Sequence, residues 1–369
     1  MKLGQMISMD AGDFLPAELT RVMARLQDNA HHMPPQQLQQ VLAAQWGKDW
    51  RSRFRRIEPR PIAAASIGRV HRATTRDGRE LAIKVQYPGV RESIDADIHN
   101  VATLLIMSGL LPRELDIAPL LAEAKRQLAE EADYLREGAQ IDRFGALLAD
   151  DAAMVVPVLD PSFTTDRVLA TSFLDGQPIE TLAGAPQAVR DSAMSSLISL
   201  VLRELFEFGV MQTAPNFANY PFQPDSSRLV LLDFDATCDI SAATALAYRR
   251  LLQAGLDQDR TAVRDAAIAA GFIGLAVVDR HGERLDRMID IIIGELHRPG
   301  PIDFGDRAFV AALRDHGMTV AADKDSWHIP PAALLFVQRK TSGTALLAAR
   351  LEAREALASS RSKWTLPTM

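Results

Sequence analysis

The chain has 369 residues, of which 47% are apolar and 24% are charged, and its formal net charge is -6. This length predicts two or three domains or lobes with an ample core. The acidic balance argues against a nucleic-acid-binding protein, which would normally show a basic excess. A single cysteine excludes an intramolecular disulfide framework, and the eight histidines are too scattered to indicate zinc.

Membrane-spanning and secretory segments are not expected in this chain. The longest apolar runs, such as residues 101–111, fall short of the roughly 20 residues that span a bilayer. Lys2 is followed by mixed polar sequence rather than by the apolar stretch of a signal peptide. These patterns predict a cytoplasmic protein, and they leave open binding to the inner face of a membrane. Five arginines in residues 51–60 would suit anionic lipid, although a solvated charged face is the simpler explanation.

The predicted elements begin with helices over residues 1–50, the last of which starts after a Pro-Pro pair and ends at Gly47. Two apolar strands then flank Asp77-Gly78, which indicates a hairpin. Residues 92–145 are predicted to be helical, with one long helix from Ala118 to about Phe144.

Two further strands are predicted within residues 154–176, followed by a buried helix at 188–210. The remainder is predicted to be mainly helical, at 241–272, 279–297, 306–316 and 331–358. A hairpin sheet followed by a helical half predicts an α+β fold and disfavours a doubly wound parallel sheet.

Lys84 lies in a predicted central strand, where burial of a lysine requires an anionic partner. Protein kinases use such a strand lysine to hold nucleotide phosphates and to pair with a glutamate on a nearby helix. Glu131 and Asp133 on the predicted long helix are the candidate partners. Taken alone, Lys84 is better explained as an edge-strand lysine with a solvated head.

The spacing around Asn219 also follows the kinase pattern. A kinase catalytic loop places its base five positions before a metal-binding Asn, and a strand-end Asp for Mg²⁺ follows. Asp233 follows an apolar strand here, but five positions before Asn219 stands Ala214, so the base is missing. The glycine-rich loop is also replaced, by an alanine-rich stretch at residues 61–71, and alanine resists the positive φ angles that glycine permits.

Taken in order, these motifs resemble the UbiB/AarF/ADCK family of atypical kinases over almost the whole chain. The motifs that carry the resemblance are Lys2-Leu3-Gly4-Gln5 (K-x-G-Q), the alanine-rich loop Ala63-Ala64-Ala65-Ser66, Lys84, Glu131-Ala132-Asp133 (E-x-D) with Glu137 one turn later, and Asn219 with Asp233.

The resemblance implies a two-lobed protein-kinase-like fold. It implies an N-terminal helical extension at 1–56, an N-lobe at 57–175 and a helical C-lobe at 176–369, with ATP or ADP and Mg²⁺ as cofactors. The implied metal ligands are Asn219 and Asp233, with Asp235 as an additional candidate. The other implied site residues are Lys84 and Glu131 for catalysis, Ala63, Ala64, Ala65, Ser66, Ser172, Phe173 and Leu174 for the nucleotide, and Lys2, Gln5, Asp133 and Glu137 for regulation.

Members of this family are ATPases or small-molecule kinases that support ubiquinone and isoprenoid-lipid metabolism. The resemblance therefore implies isoprenoid lipids, quinone precursors, quinone-biosynthesis proteins or a membrane surface as partners. The chain departs from the family at Ala214, where an Asp is normal, and at Asp235, where D-F-G would have glycine. Almost nothing precedes Lys2, where members usually carry an extension. The expectation is Mg²⁺-dependent nucleotide binding with little turnover, because a positioned base is worth roughly 10²–10⁴-fold in rate.

Two other functions fit part of the sequence. A non-catalytic pseudokinase that serves as a binding module fits Ala214. A haloacid-dehalogenase-type phosphatase fits "LVLLDFDAT", with Asp233 as nucleophile, Asp235 as acid/base and Thr237 as a supporting hydroxyl. The phosphatase interpretation requires alternating strands and helices after this motif and leaves the other motifs unexplained.

Overall fold

A computed structural model of the protein describes residues 33–65, 67–107, 118–213, 216–306, 308–326, 328 and 330–355. These residues form two units. Unit 1 consists of the described residues up to Gly176 together with the segment Val230–Ala236, and unit 2 consists of Gln177–Leu229 together with the described residues from Thr237 onward. The chain therefore leaves unit 1 and later returns to it for one short segment.

Unit 1 is built on an antiparallel sheet. The strands of unit 1 are β1 Phe54–Ile57, β2 Ala63–Ala65, β3 Gly68–Thr75, β4 Glu80–Gln86, β5 Met154–Val155 and β6 Val168–Ser172. Its helices are α1 Pro35–Trp46, α2 Val90–Met107, α3 Ala118–Glu131 and α4 Tyr134–Leu147. The main sheet has the order β1-β3-β4-β6, with β2 also paired to β3, so β4 is a central strand. The predicted hairpin is present, and Gly78 in its turn has a φ angle of 92°.

The two faces of β4 have different neighbours, because successive side chains of a strand point in opposite directions. Leu81, Ile83 and Val85 belong to an apolar core that also includes Leu42 of α1. Lys84 lies on the opposite face. β1 belongs to this sheet although the sequence assigned residues 1–56 to a helical extension, and the helices predicted within 1–32 lie outside the described residues.

Unit 2 is mainly helical. Its helices are α5 Gln187–Arg203, α6 Ala242–Leu256, α7 Arg260–Ala270, α8 Leu275–Leu296, α9 Ala308–Ala322 and α10 Ala332–Arg350. Its short strands are β7 Val210–Gln212, β8 Phe222–Gln223, β9 Arg228–Val230, β10 Thr237–Asp239, β11 Ile302–Asp303 and β12 Arg354–Glu355, and the last residue of β9 opens the segment that returns to unit 1. β7 pairs with β10, β8 with β9, and β11 with β12.

The α+β class predicted from the sequence is confirmed, with corrections to individual helices. The helix predicted over 118–144 is two helices, because Asp133 caps the start of α4 through the N–H of Arg136. The helix predicted over 241–272 is also divided, and the side chain of Asp259 caps α7. The last predicted helix ends at Arg350 instead of 358, and β12 follows it.

The elements that follow residue 240 bear on two further expectations. Apart from the short strands β11 and β12, the described elements there are helices, which differs from the alternation that the phosphatase interpretation requires. Among the helices that the structure describes, none combines the length and the hydropathy needed to cross a membrane.

Candidate functional site

A buried lysine faces three carboxylates in unit 1. The Lys84 side chain is 10% exposed, and its Nζ donates to Oε1 and Oε2 of Glu137, both at 2.9 Å. The same Nζ lies 3.4 Å from Oδ1 of Asp233 and 3.5 Å from Oδ2 of Asp235. These four side chains, here called the Lys84 cluster, bring one positive and three negative groups together.

Helix α4 positions the main partner of Lys84. Oδ1 of Asp133 accepts the N–H of Arg136 at 3.1 Å, and Glu137 follows in the first helical turn, where a negative charge is favourable. The sequence predicted that Glu131 or Asp133 would pair with Lys84, and this prediction is wrong. Because α3 ends at Glu131 and Asp133 caps the next helix, it is Glu137 that reaches the ammonium group.

The segment Val230–Ala236 supplies the other two carboxylates. Leu231 donates its N–H to the carbonyl oxygen of Val155 at 2.9 Å, and the fully buried Phe234 packs on Phe144 with ring centroids 5.1 Å apart. Asp233 has a φ angle of 61°, a left-handed conformation that aspartate tolerates better than most residues. The turn at Asp233 and the anchored ring of Phe234 together place Asp233 and Asp235 beside the same ammonium group.

The pKa values of Glu137 and Lys84 are both raised in this cluster. Burial raises the pKa of Glu137 to about 7, and Asp235 and Asp233 add to this shift against the opposing charge of Lys84. Burial alone would lower the pKa of Lys84, but the charges of Glu137, Asp233 and Asp235 outweigh it and hold that pKa well above its usual value. The Lys84 cluster is therefore a favourable place for a further positive charge.

The donor set suits Mg²⁺ accompanied by phosphate. Within the described ranges, no group of three or more His, Cys, Asp or Glu side chains forms a ready-made metal site. Mg²⁺, however, is usually bound by one or two carboxylates together with phosphate oxygens and water rather than by an all-protein cage. The Asp233 side chain is 27% exposed, so it is accessible to such an ion.

The alanine-rich stretch is a strand in the structure rather than a loop. Ala63, Ala64 and Ala65 form β2 and pair with Val70, Arg69 and Gly68 of β3, while Ser66 lies outside the described residues. Gly68 is required at this tight connection, because a Cβ atom there would collide with the carbonyl oxygen of Val85.

The remaining predicted site residues lie in several places. Ser172 ends β6, and Phe173 donates its N–H to the carbonyl oxygen of Glu80 at 2.9 Å, shortly before unit 1 ends at Gly176. Leu174 follows Phe173 outside any helix or strand. Asn219 belongs to unit 2, where it is buried at the end of a 3₁₀ turn, Phe217–Asn219, which Asn216 caps. Lys2, Gln5 and Ala214 lie outside the described residues.

The sequence interpretation missed an ion pair in unit 2 between Glu204 and Lys340, whose charged atoms are 3.2 Å apart. In the sequence, Glu204 directly follows Arg203 and Lys340 directly follows Arg339, so neither residue stands out as a lone charge in an apolar run. A cavity of about 840 Å³ also lies in unit 2, between α6, α7 and the start of α10. Its lining is largely alanine and includes none of the predicted site residues.

Comparisons with known proteins agree with these observations. The chain matches the ABC1 atypical kinase-like domain over residues 25–267. It is 34% identical to the mitochondrial atypical kinase COQ8 of Saccharomyces cerevisiae, covering 96% of this chain and 70% of that protein. It is 37% identical to the mitochondrial atypical kinase COQ8B of Rattus norvegicus, covering 96% of this chain and 66% of that protein.

A solved structure shares the fold. The complex of Rv3197 with erythromycin from Mycobacterium tuberculosis superposes with a TM-score of 0.71 at 22% identity, covering 100% of this chain and 92% of that one. The family and the kinase-like fold predicted from the motifs are thus confirmed. The chain belongs to the UbiB/AarF/ADCK family of atypical kinases and carries their ABC1 kinase-like domain.

Proposed function

We propose that the protein binds ATP or ADP together with Mg²⁺ and has weak or no phosphoryl-transfer activity. The observation that carries this proposal is the Lys84 cluster, in which a buried ammonium group is oriented by Glu137 and has two further carboxylates beside it. In such an arrangement the ammonium group can bind phosphate oxygens, and the carboxylate oxygens can bind a metal ion.

The residues of the proposed site divide the binding of phosphate and of the metal ion between them. Lys84 binds phosphate oxygens, Glu137 holds its ammonium group in place, and Asp233 and Asn219 are the Mg²⁺ ligands, with Asp235 as an additional candidate. The bound metal ion supplies positive charge that offsets the charge of the phosphates. The backbones of residues 63–66 and 172–174 contact the nucleotide, and Lys2 and Gln5 keep the regulatory roles that the resemblance implies.

The family supports a proposal for the physiological setting. We propose that the protein supports ubiquinone or isoprenoid-lipid metabolism, at the cytoplasmic face of a membrane. The names of the yeast and rat relatives describe them as atypical kinases and as mitochondrial. Isoprenoid lipids, quinone precursors and quinone-biosynthesis proteins are the proposed partners.

Calorimetric titration of the full chain with ATP and ADP, with and without Mg²⁺, tests the binding. We expect binding with Mg²⁺, and a loss of at least about tenfold in affinity in Lys84→Met, because a charge-assisted contact to phosphate is removed. Lys125→Met is the matched control, since Lys125 pairs with Asp95 on an exposed surface. Absence of binding of either nucleotide in both conditions would contradict the proposal.

Restoring the missing base tests the catalytic part. We expect Ala214→Asp to raise ATP hydrolysis by about 10²–10⁴-fold, the usual contribution of a positioned base. A flat rate with intact nucleotide binding would favour the non-catalytic pseudokinase, in which the nucleotide-bound protein serves as a scaffold. Hydrolysis measured alongside calorimetry on the same preparations separates the two outcomes.

A further inference from the structure

A buried ion pair in unit 2 lies outside every motif of the family resemblance. Glu204 begins a single π-helical turn, Glu204–Phe208, at the end of α5, and Lys340 belongs to α10. Nζ of Lys340 is 3.2 Å from Oε2 of Glu204, and the two side chains are 1% and 0% exposed. Turns of this rare type are frequent at functional sites.

Each partner also holds one end of the segment 213–219. Oε1 of Glu204 accepts the N–H of Gln212, the last residue of β7, at 3.1 Å. Nζ of Lys340 donates to the hydroxyl oxygen of Tyr220 at 2.8 Å. Tyr220 directly follows Asn219, so the two flanks of this segment share one buried anchor.

The energetics of such a pair favour a positioning role over a stabilising one. Apolar side chains can often replace a buried ion pair without loss of stability, whereas removal of one partner leaves an uncompensated charge and is strongly destabilising. The hydrogen bonds of the pair are nevertheless directional, and they are strong in an apolar environment. The pair has such an environment. A buried apolar cluster includes four residues that lie within four positions of Glu204, Gln212 or Lys340 along the chain, namely Val201, Leu205, Met211 and Val337.

We propose that the Glu204–Lys340 pair, through its contacts with Gln212 and Tyr220, positions Asn219 for metal binding. The inference rests on the proposed function, in which Asn219 is a ligand of Mg²⁺. Glu204 and Lys340 are positioning residues, acting through the N–H of Gln212 and the hydroxyl of Tyr220. Position 214, where the family has its catalytic Asp, falls within the same stretch of sequence.

Three variants of the full chain separate positioning from folding. Tyr220→Phe removes the hydroxyl that Lys340 contacts and keeps the ion pair. The double variant Glu204→Gln/Lys340→Met removes both charges, so neither is left buried alone. The matched control is Arg264→Met/Asp286→Asn, which removes another ion pair of unit 2, 3.1 Å long, between α7 and α8. The measurements are thermal unfolding without nucleotide, the Mg²⁺ dependence of ATP binding, and hydrogen exchange of the amides in 213–219.

We expect Tyr220→Phe and the Glu204/Lys340 double variant to unfold close to the temperature of the unaltered protein. Both should need about 10–100-fold more Mg²⁺ for the same ATP occupancy, the usual loss when the support of a metal ligand is removed. Their amides in 213–219 should exchange faster, and the control should match the unaltered protein.

Unaltered Mg²⁺ dependence and exchange in both test variants would overturn the inference and leave the pair a structural feature. If the double variant does not fold, Tyr220→Phe decides the question by the same two readouts. If the unaltered protein binds no ATP with Mg²⁺, the proposed function fails. The exchange measurement then tests the positioning role by itself, and exchange rates in the variants equal to those of the unaltered protein would overturn that role as well.

Discussion

At the scale of single residues, Asp235 distinguishes this chain from the family pattern, which has glycine at that position. Its side chain is 1% exposed, and its Oδ2 lies 3.5 Å from Nζ of Lys84. A buried carboxylate at this distance is weakly screened, so it attracts the ammonium group and repels an incoming phosphate. Nucleotide binding should therefore depend more strongly on Mg²⁺ here than it would with glycine at this position.

We predict that Asp235→Gly and Asp235→Asn weaken the Mg²⁺ dependence of ATP binding. The ratio of the Kd without Mg²⁺ to the Kd with Mg²⁺ should fall by about tenfold or more, because one unscreened negative charge is removed. Calorimetry in both conditions measures this ratio. The exposed Asp150→Asn changes the net charge equally and should leave the ratio unchanged. An unchanged ratio in both Asp235 variants would show that this carboxylate does not oppose phosphate.

At the scale of elements, the break between α3 and α4 sets the geometry of the Lys84 cluster. The break depends on the cap that Asp133 makes with the N–H of Arg136. We predict that Asp133→Ala lowers the free energy of unfolding by about 1 kcal/mol, while Asp133→Asn stays close to the unaltered protein because asparagine caps equally well. Urea unfolding tests this prediction. Equal losses in both variants would show that the charge matters rather than the cap.

Strand β3 carries a buried histidine, and this residue should make the free energy of unfolding depend on pH. Nδ1 of His71 donates to the carbonyl oxygen of Glu58 at 2.9 Å, and burial lowers the pKa of His71 below its usual 6.5. Below pH 6.5 the unfolded chain binds a proton at this residue more readily than the folded chain does. The contribution of His71 to the free energy of unfolding is therefore fully present above pH 6.5, and it is lost as the pH falls below 6.5.

We predict that His71→Asn removes this part of the pH dependence, because asparagine retains a donor near the Nδ1 position and does not titrate. Urea unfolding at pH 7.5 and pH 5.5 should show a smaller loss of stability on acidification in the variant than in the unaltered protein. The pKa of Glu137, raised to about 7, gives a slope of the opposite sign, since its contribution falls as the pH rises toward 7. The difference between variant and parent therefore carries the test, and identical pH dependence would contradict the prediction.

At the scale of the whole molecule, unit 1 is completed by a segment that the chain supplies only after the first part of unit 2, Gln177–Leu229. Val230–Ala236 brings the fully buried Phe234 onto Phe144, together with the two aspartates of the Lys84 cluster. The stability of unit 1 and the geometry of the candidate site therefore depend on the same seven residues.

We predict that Phe234→Ala lowers the free energy of unfolding by about 3–5 kcal/mol, the usual cost of deleting a buried aromatic ring. Phe234→Leu should cost less, because more of the apolar volume remains. Val158→Ala is the control, since that side chain is exposed. Urea unfolding measures all three, and a loss below about 1 kcal/mol in Phe234→Ala would mean that the ring does not anchor the segment.

Local patterns were sufficient for several parts of the fold. The β3–β4 hairpin follows from alternating apolar residues around Asp77-Gly78, and both signals lie within a few positions of each other. Helix breaks at Asp133 and Asp259 were missed, because an aspartate within a helical pattern can either point to solvent or cap a new helix. The strand β12 was missed because its pairing partner, β11, lies far away along the chain.

The sequence by itself determined the family, the α+β class and the chemical groups of the candidate site. Ordered motifs and short-range periodicity can be recognised directly in the order of the residues. Tertiary structure alone decided that Glu137 pairs with Lys84, that Asp235 turns toward the same ammonium group, and that Glu204 meets Lys340. These pairings depend on where helices break, on the left-handed turn at Asp233 and on packing between distant segments. No local pattern specifies such contacts, because their energy is gained only when the whole chain has folded.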